Sequence, residues 1–321
     1  MTGKVYPWHQ FTWSKLQGAR TDGRLPHALL FSGDEGCGHE TLMQSLVKSF
    51  LCLMPVDDAE GQACGTCRSC QVFESGAHPD YKMIAAPADK QVISVDQIRG
   101  LNHFLELSRS YSPSRVVLIH EAGRMNINAA NSLLKSLEEP SADTHILLFS
   151  SRASTLLPTI RSRCQQIRLP LPSSEQALAW LHAQSLTQDA ELLLNLAGGK
   201  PMQALALDSG ELIAARKLWQ QQLLAVINRD KSIAEVGSEW AKQSKEQLLD
   251  WQLNTLHHAL RYSLAGAVVP EEPETLALYE AASGRNVWAL YDELLEMKGL
   301  ATHPLNNQLF AENMLSLWLK S

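Results

Sequence analysis

The chain has 321 residues, more than one ordinary core organises, so two or three domains are expected. Hydrophobic residues make up 45% and charged residues 19%, a globular profile, and no apolar run reaches the ~18–20 residues that a bilayer span needs. The net charge of −6, the pI near 6.0 and the lack of a basic stripe argue against a protein that grips nucleic acid by itself.

Met1 to Gln10 include Lys4, Trp8 and His9 and no continuous apolar stretch. No signal peptide is read there, and a cytoplasmic location is expected. The run His27 to Ser32 (HALLFS) is short, apolar and followed by glycines, the mark of a buried strand. A Gly-rich turn follows, then a helix from about Glu40 to Leu53. Met54 to Ala77 carries three of the six cysteines and reads as an insertion. Tyr81 to Ile84 is a second strand. Ser94 caps a helix through about Leu107, with Gln97 placed for a capping box. Arg115 to His120 (RVVLIH) is β-branched and extended. Asn126 to Glu139 is an amphipathic helix stopped by Pro140. His145 to Ser150 and Gln165 to Leu169 complete the strands. Repeated β–α alternation predicts a mostly parallel, doubly wound α/β sheet.

Pro170 and Pro172 mark a linker, after which the chain reads as all-α. Ser173 and Gln176 form a second capping box, for a helix through about Gln184. A helix from about Gln188 to Ala197 stops at Gly198 and Gly199. Longer helices follow Asp208, with breaks near Ala265 to Pro273 and Thr302 to Pro304. Trp240, Trp251, Trp288 and Trp318 fall at core-like helical spacing and read as packing residues.

The loop Gly33-Asp34-Glu35-Gly36-Cys37-Gly38-His39-Glu40-Thr41 fits the P-loop pattern at its outer glycines and in its strand–loop–helix setting. It fails at the two positions that do chemistry. The lysine that reaches the β- and γ-phosphates is His39, and the hydroxyl that ligates magnesium is Glu40, a carboxylate that repels phosphate. Thr41 restores a hydroxyl only if the register slips by one. The strand RVVLIH ends at His120 rather than at a magnesium-binding acid, with Glu121 next. A Gly-rich turn that was never a P-loop is the alternative reading of these residues.

Cys64, Cys67 and Cys70 lie three apart, a spacing that lets three thiolates meet on one ion, and Cys52 is the nearest candidate fourth ligand. A buried, non-ligating Cys52 is the alternative. An iron–sulfur run also begins in this way, but it then needs Cys-x3-Cys-Pro, and position 74 is Glu74. Four thiolates leave no open position, so such a zinc site is structural.

Three strings carry a family resemblance. Asn131 to Pro140 (NSLLKSLEEP) resembles a helix of the bacterial clamp-loader AAA+ subunits. Thr159 to Cys164 (TIRSRC) resembles their T-[IL]-x-S-R-C segment. The cysteine-bearing insertion and His78-Pro79-Asp80 also fit. The missing lysine narrows the match to the delta-prime type rather than the ATP-binding gamma or tau type. The resemblance is weaker beyond residue 170, where Gly199 to Leu205 aligns with a second-domain helix and Asn307 to Leu315 with a collar helix. Met202 falls where gamma-type subunits carry a nucleotide-sensing arginine.

The resemblance implies an AAA+ domain over residues 1–170 with a zinc module at about 52–77, a small helical lid over 171–208, and a helical collar for oligomerisation over 209–321. It supports Cys52, Cys64, Cys67 and Cys70 as zinc ligands and implies that this chain holds no ATP. It singles out Arg163 as an arginine finger that serves a neighbouring subunit's ATP; on the residues alone a surface ion pair is the simpler reading, since Arg161 and Arg168 lie nearby. The implied partners are gamma- or tau-type ATPase subunits, the delta subunit, the sliding clamp transiently, and primer-template DNA through the assembled complex. The implied role is a non-hydrolysing scaffold of the DNA polymerase III clamp loader. An active ATPase in an unusual register and a zinc-dependent nucleic-acid module are the rival readings; for the latter, only Arg68 supplies positive charge around Cys64 to Cys70.

Overall fold

The computed structural model describes residues 5–55, 61–87, 90–208, 211–265, 272–284, 286–301, 303 and 305–319. Its first half alternates as expected: α1 Gln10–Thr21, β1 Ala28–Ser32, α2 His39–Leu51, α3 Arg68–Glu74, β2 Tyr81–Ile84, α4 Val95–Glu106, β3 Arg115–Ile119, α5 Ile127–Glu138, β4 Thr144–Ser150, α6 Pro158–Arg161 and β5 Gln165–Arg168. The five strands form one parallel sheet in the order β2-β3-β4-β1-β5. With helices covering both of its faces, this is the doubly wound parallel sheet that the alternation implied.

Successive side chains of a strand face opposite sides. Leu29, Phe31, Val116, Leu118, Leu147 and Phe149 therefore join one core with α1 and α2. Ala28, Leu30, Val117, Ile119, Ile146 and Leu148 join the other with α4 and α5. Both predicted capping boxes form, Ser94 with Gln97 and Ser173 with Gln176, the latter opening α7 Ser174–His182.

Helices alone follow: α8 Ala190–Leu196, α9 Pro201–Leu207, α10 Glu211–Ile227, α11 Ile233–Trp240, α12 Lys245–Ala265, α13 Pro273–Ser283, α14 Val287–Leu300 and α15 Asn307–Leu317. The chain sorts into two compact units, one of residues 1–183 with 199–203 and the other of 184–198 with 204–321. These boundaries cut across the expected 171–208 lid. Within the second unit, Trp219, Trp240 and Trp318 are fully buried. The indole of Trp240 donates to Gln222 at 2.8 Å and that of Trp318 to Gln252 at 2.7 Å, which satisfies each polar edge inside the core.

Trp288 corrects the sequence reading, for it is 61% exposed. Val287, Leu290 and Leu294 take the inward stripe of α14, and position 288 turns outward. The sequence also gave no sign of α1, of α3 inside the insertion, or of the break between α10 and α11. The breaks expected near 265–273 and 302–304 fall largely outside the described residues.

Candidate functional site: a filled phosphate loop, a thiol cluster and a paired arginine

The loop after β1 has the backbone of a phosphate cradle. Gly36 and Gly38 adopt φ of +81° and +77°, the left-handed region that favours glycine. A Cβ at Gly33 would lie 2.9 Å from Leu169. The cradle is filled from within the chain. A Cβ at Gly38 would lie 2.3 Å from the Tyr6 ring. The Trp8 indole donates to the Cys37 carbonyl at 2.8 Å, and the Met202 amide donates to the Gly36 carbonyl at 3.0 Å. Tyr6 and Trp8 stack with ring centres 5.0 Å apart and planes 4° apart, and Trp180 meets both edge-on. Sequence reasoning passed over all three aromatics, because their meeting depends on contacts far apart in the chain.

Gly38 is the N-cap of α2, so His39 and Glu40 hold its first two positions and Thr41 stands one further in. The His39 ring lies flat on Phe149, 3.7 Å between centres, and is only 2% exposed. Burial, with His120 and His9 nearby, lowers its pKa to about 4, so it is neutral at pH 7. It offers phosphate neither reach nor charge. Glu40 is exposed, with an oxygen 3.7 Å from His39 Nε2 and 4.0 Å from His120 Nε2. Glu121 sits at φ +49°, and its carboxylate accepts from the Ser151 amide and hydroxyl, both at 3.0 Å. A carboxylate held this way is occupied and does not point freely at a water.

Cys52 ends α2, Cys67 caps α3 and Cys70 lies within it. The fold brings the four predicted sulfurs together, all within 4.8 Å of one another. Cys52 Sγ lies 3.6 Å from Cys64 Sγ and 3.9 Å from Cys67 Sγ. A tetrahedral ion with Zn–S of 2.3 Å requires sulfurs about 3.8 Å apart, so the donor set fits zinc. Amides of Thr66 and Cys67 hold the Cys64 thiol down to about 6, while burial pushes Cys52 and Cys70 up. Four thiols this close become four thiolates only around a cation.

The motif His78-Pro79-Asp80 ties this module to the sheet. The Asp80 amide donates to His78 Nδ1 at 3.1 Å. In the neutral ring Nε2 therefore carries the proton and donates to Ser69 Oγ at 2.9 Å, while Ser69 donates to the Leu51 carbonyl at 2.6 Å. The Asp80 carboxylate accepts from the amides of Ser110, Tyr111 and Ser112. Arg68 stacks over Tyr111 at 5.1 Å.

Arg163 follows α6 on the surface. Its Nε donates to Glu138 of α5 at 2.7 Å and its Nη1 to the Thr159 carbonyl at 2.9 Å. Cys164 is buried, and burial raises its thiol pKa to about 11. Arg168 is exposed on β5, at the edge of the sheet.

A family model described as DNA polymerase III, delta subunit, matches residues 8–173. The chain is 35% identical to the DNA polymerase III subunit delta' of Pseudomonas aeruginosa, over 98% of this chain and 97% of that one. It is 33% identical to the same subunit of Haemophilus influenzae, over 81% and 78%. Among solved structures, a gamma subunit-related protein of Thermotoga maritima is similar at 19% identity and a TM-score of 0.48, covering 95% of this chain and 98% of that one.

Proposed function

Because the chain belongs to the DNA polymerase III delta-prime family, we propose that it is a non-hydrolysing subunit of the clamp loader, a scaffold that lends Arg163 to a neighbour's ATP. The observation that carries the non-hydrolysing part is His39, a neutral imidazole buried against Phe149 where a phosphate-binding lysine belongs. Glu40 adds repulsion, Tyr6 and Trp8 cover the cradle, and Met202 brings no charge to it. The role assigned to Arg163 rests on the family's Ser-Arg-Cys segment. Guanidinium suits it, being always charged and able to bind phosphate through two parallel hydrogen bonds. Its present partner, Glu138, is an exposed carboxylate; such pairs are worth about 0–1 kcal/mol, so releasing the arginine to a phosphate costs little.

The partners on this reading are gamma- or tau-type ATPase subunits, the delta subunit, the sliding clamp in passing, and primer-template DNA held by the whole assembly in the cytoplasm. Zinc on Cys52, Cys64, Cys67 and Cys70 would fix the insertion, with no open position for catalysis. Residues 1–170, 171–208 and 209–321 serve as AAA+ domain, lid and collar. The chain has no turnover of its own and acts within a DNA-directed DNA polymerase holoenzyme. The direct test is calorimetry of the isolated chain with ATP and magnesium: no heat of binding at micromolar concentrations is expected, and micromolar affinity would return the active-ATPase reading.

A further inference from the structure

The geometry points to a second metal site, and we propose that His39, Glu40 and His120 bind a divalent transition-metal ion of the zinc class in the abandoned nucleotide cradle. One ligand atom from each lies within 4.8 Å of the other two. They come from two adjacent positions at the start of α2 and from the residue that follows β3. Phe149 of β4 forms a common floor, stacking on His39 at 3.7 Å and on His120 at 5.7 Å.

The second observation is an unmet need. Among the described residues, both ring nitrogens of His39 and Nε2 of His120 are buried without a hydrogen-bond partner. Buried polar groups are almost always satisfied, and each orphan costs about 1–3 kcal/mol. Glu40 does not satisfy them, since 3.7 and 4.0 Å are too long for hydrogen bonds. Bonds of about 2.0–2.1 Å need ligand atoms roughly 3.3 Å apart. The Glu40 oxygen at 3.7 and 4.0 Å is therefore within an ångström of that spacing from both rings, and the two ring nitrogens, within 4.8 Å of each other, must close on the ion as well. Neutral imidazoles are lone-pair donors, and two of them with a carboxylate favour zinc, cobalt or nickel over magnesium. Three ligands leave a position for water on the solvent side. The ion would bridge the start of α2 to the end of β3, securing a cradle that no nucleotide fills. It is separate from the four-cysteine site in ligands and chemistry.

The full chain, dialysed against a chelator so that only cysteine-held zinc remains, is titrated with zinc chloride alone and, separately, with cobalt chloride alone. A second equivalent is expected to bind. With cobalt it should give weak visible absorption and no near-ultraviolet sulfur-to-metal band. His120→Ala and Glu40→Gln should each lose the second equivalent while keeping the cysteine-held zinc and the wild-type circular dichroism. Wild type taking up no second ion would overturn the proposal. So would both variants retaining it, or cobalt showing the thiolate band, which would put the ion on the cysteines.

Discussion

At position 39 a lysine would carry a flexible charged stem out over a phosphate. The imidazole there instead joins the sheet's core face through Phe149 and gives up its charge to do so. The same economy of side-chain chemistry holds at the thiols. Cys64 and Cys67 supply half of the candidate zinc's ligands, and sulfur-to-oxygen exchange removes the soft donors that hold the ion. The double variant Cys64→Ser, Cys67→Ser should lose its chelator-resistant zinc, and metal analysis of purified protein reads this directly. Iron in the wild type, or zinc retained in the variant, would refute the assignment. Loss of metal should loosen residues 61–77 in hydrogen exchange before it loosens β1, β3 or β4, which are buried on both faces by residues outside the insertion.

The elements explain why an insertion that looks like a loop holds its place. Asp80 is 1% exposed and gathers three backbone amides from the segment that leads into β3. Asp80→Ala leaves those donors without an acceptor, and the expected loss is about 2–4 kcal/mol in denaturant melts at neutral pH. A change below about 0.5 kcal/mol would mean that the amides find water instead. Much at this scale was legible in the sequence. Strands with strict apolar runs, such as HALLFS and HILLFS, and caps with local hydrogen-bond grammar, such as Ser94 with Gln97, depend on neighbours a few residues away. What escaped depends on distant ones. The helix α1 buries only Trp13, Leu16 and Gln17, so its pattern is faint. Trp288 was assigned to a core by type and spacing, whereas its side of α14 is decided by which stripe the other helices cover. Cys64, Cys67 and Cys70 were legible because their spacing is itself local, whereas Cys52, twelve residues upstream, entered only as the nearest candidate and through the resemblance. The seating of Tyr6 against Gly38 and the pairing of Arg163 with Glu138 were not, since each joins residues 25 or more apart.

The whole molecule divides into a unit built on the parallel sheet and a helical unit with a core of its own. Beyond Trp288, α14 also exposes Leu295. Removing residues 209–321 should abolish assembly with gamma- or tau-type and delta subunits, which co-purification reads; a truncated chain recovered with its partners at full yield would refute the collar assignment. The central claim is that this chain, unable to hydrolyse ATP, speeds hydrolysis next door through Arg163. The most direct measurement is steady-state ATP turnover of the reconstituted complex with clamp and primed DNA, wild type against Arg163→Ala, with assembly checked by gel filtration. One finger is worth about 10³–10⁵ in rate at its own site, so the account predicts a partial fall in the total, the share of one site among several. Arg163→Lys should recover little of it, because a point charge lacks the planar fork. Unchanged turnover in a fully assembled Arg163→Ala complex would contradict the account and leave Arg163 as the surface partner of Glu138.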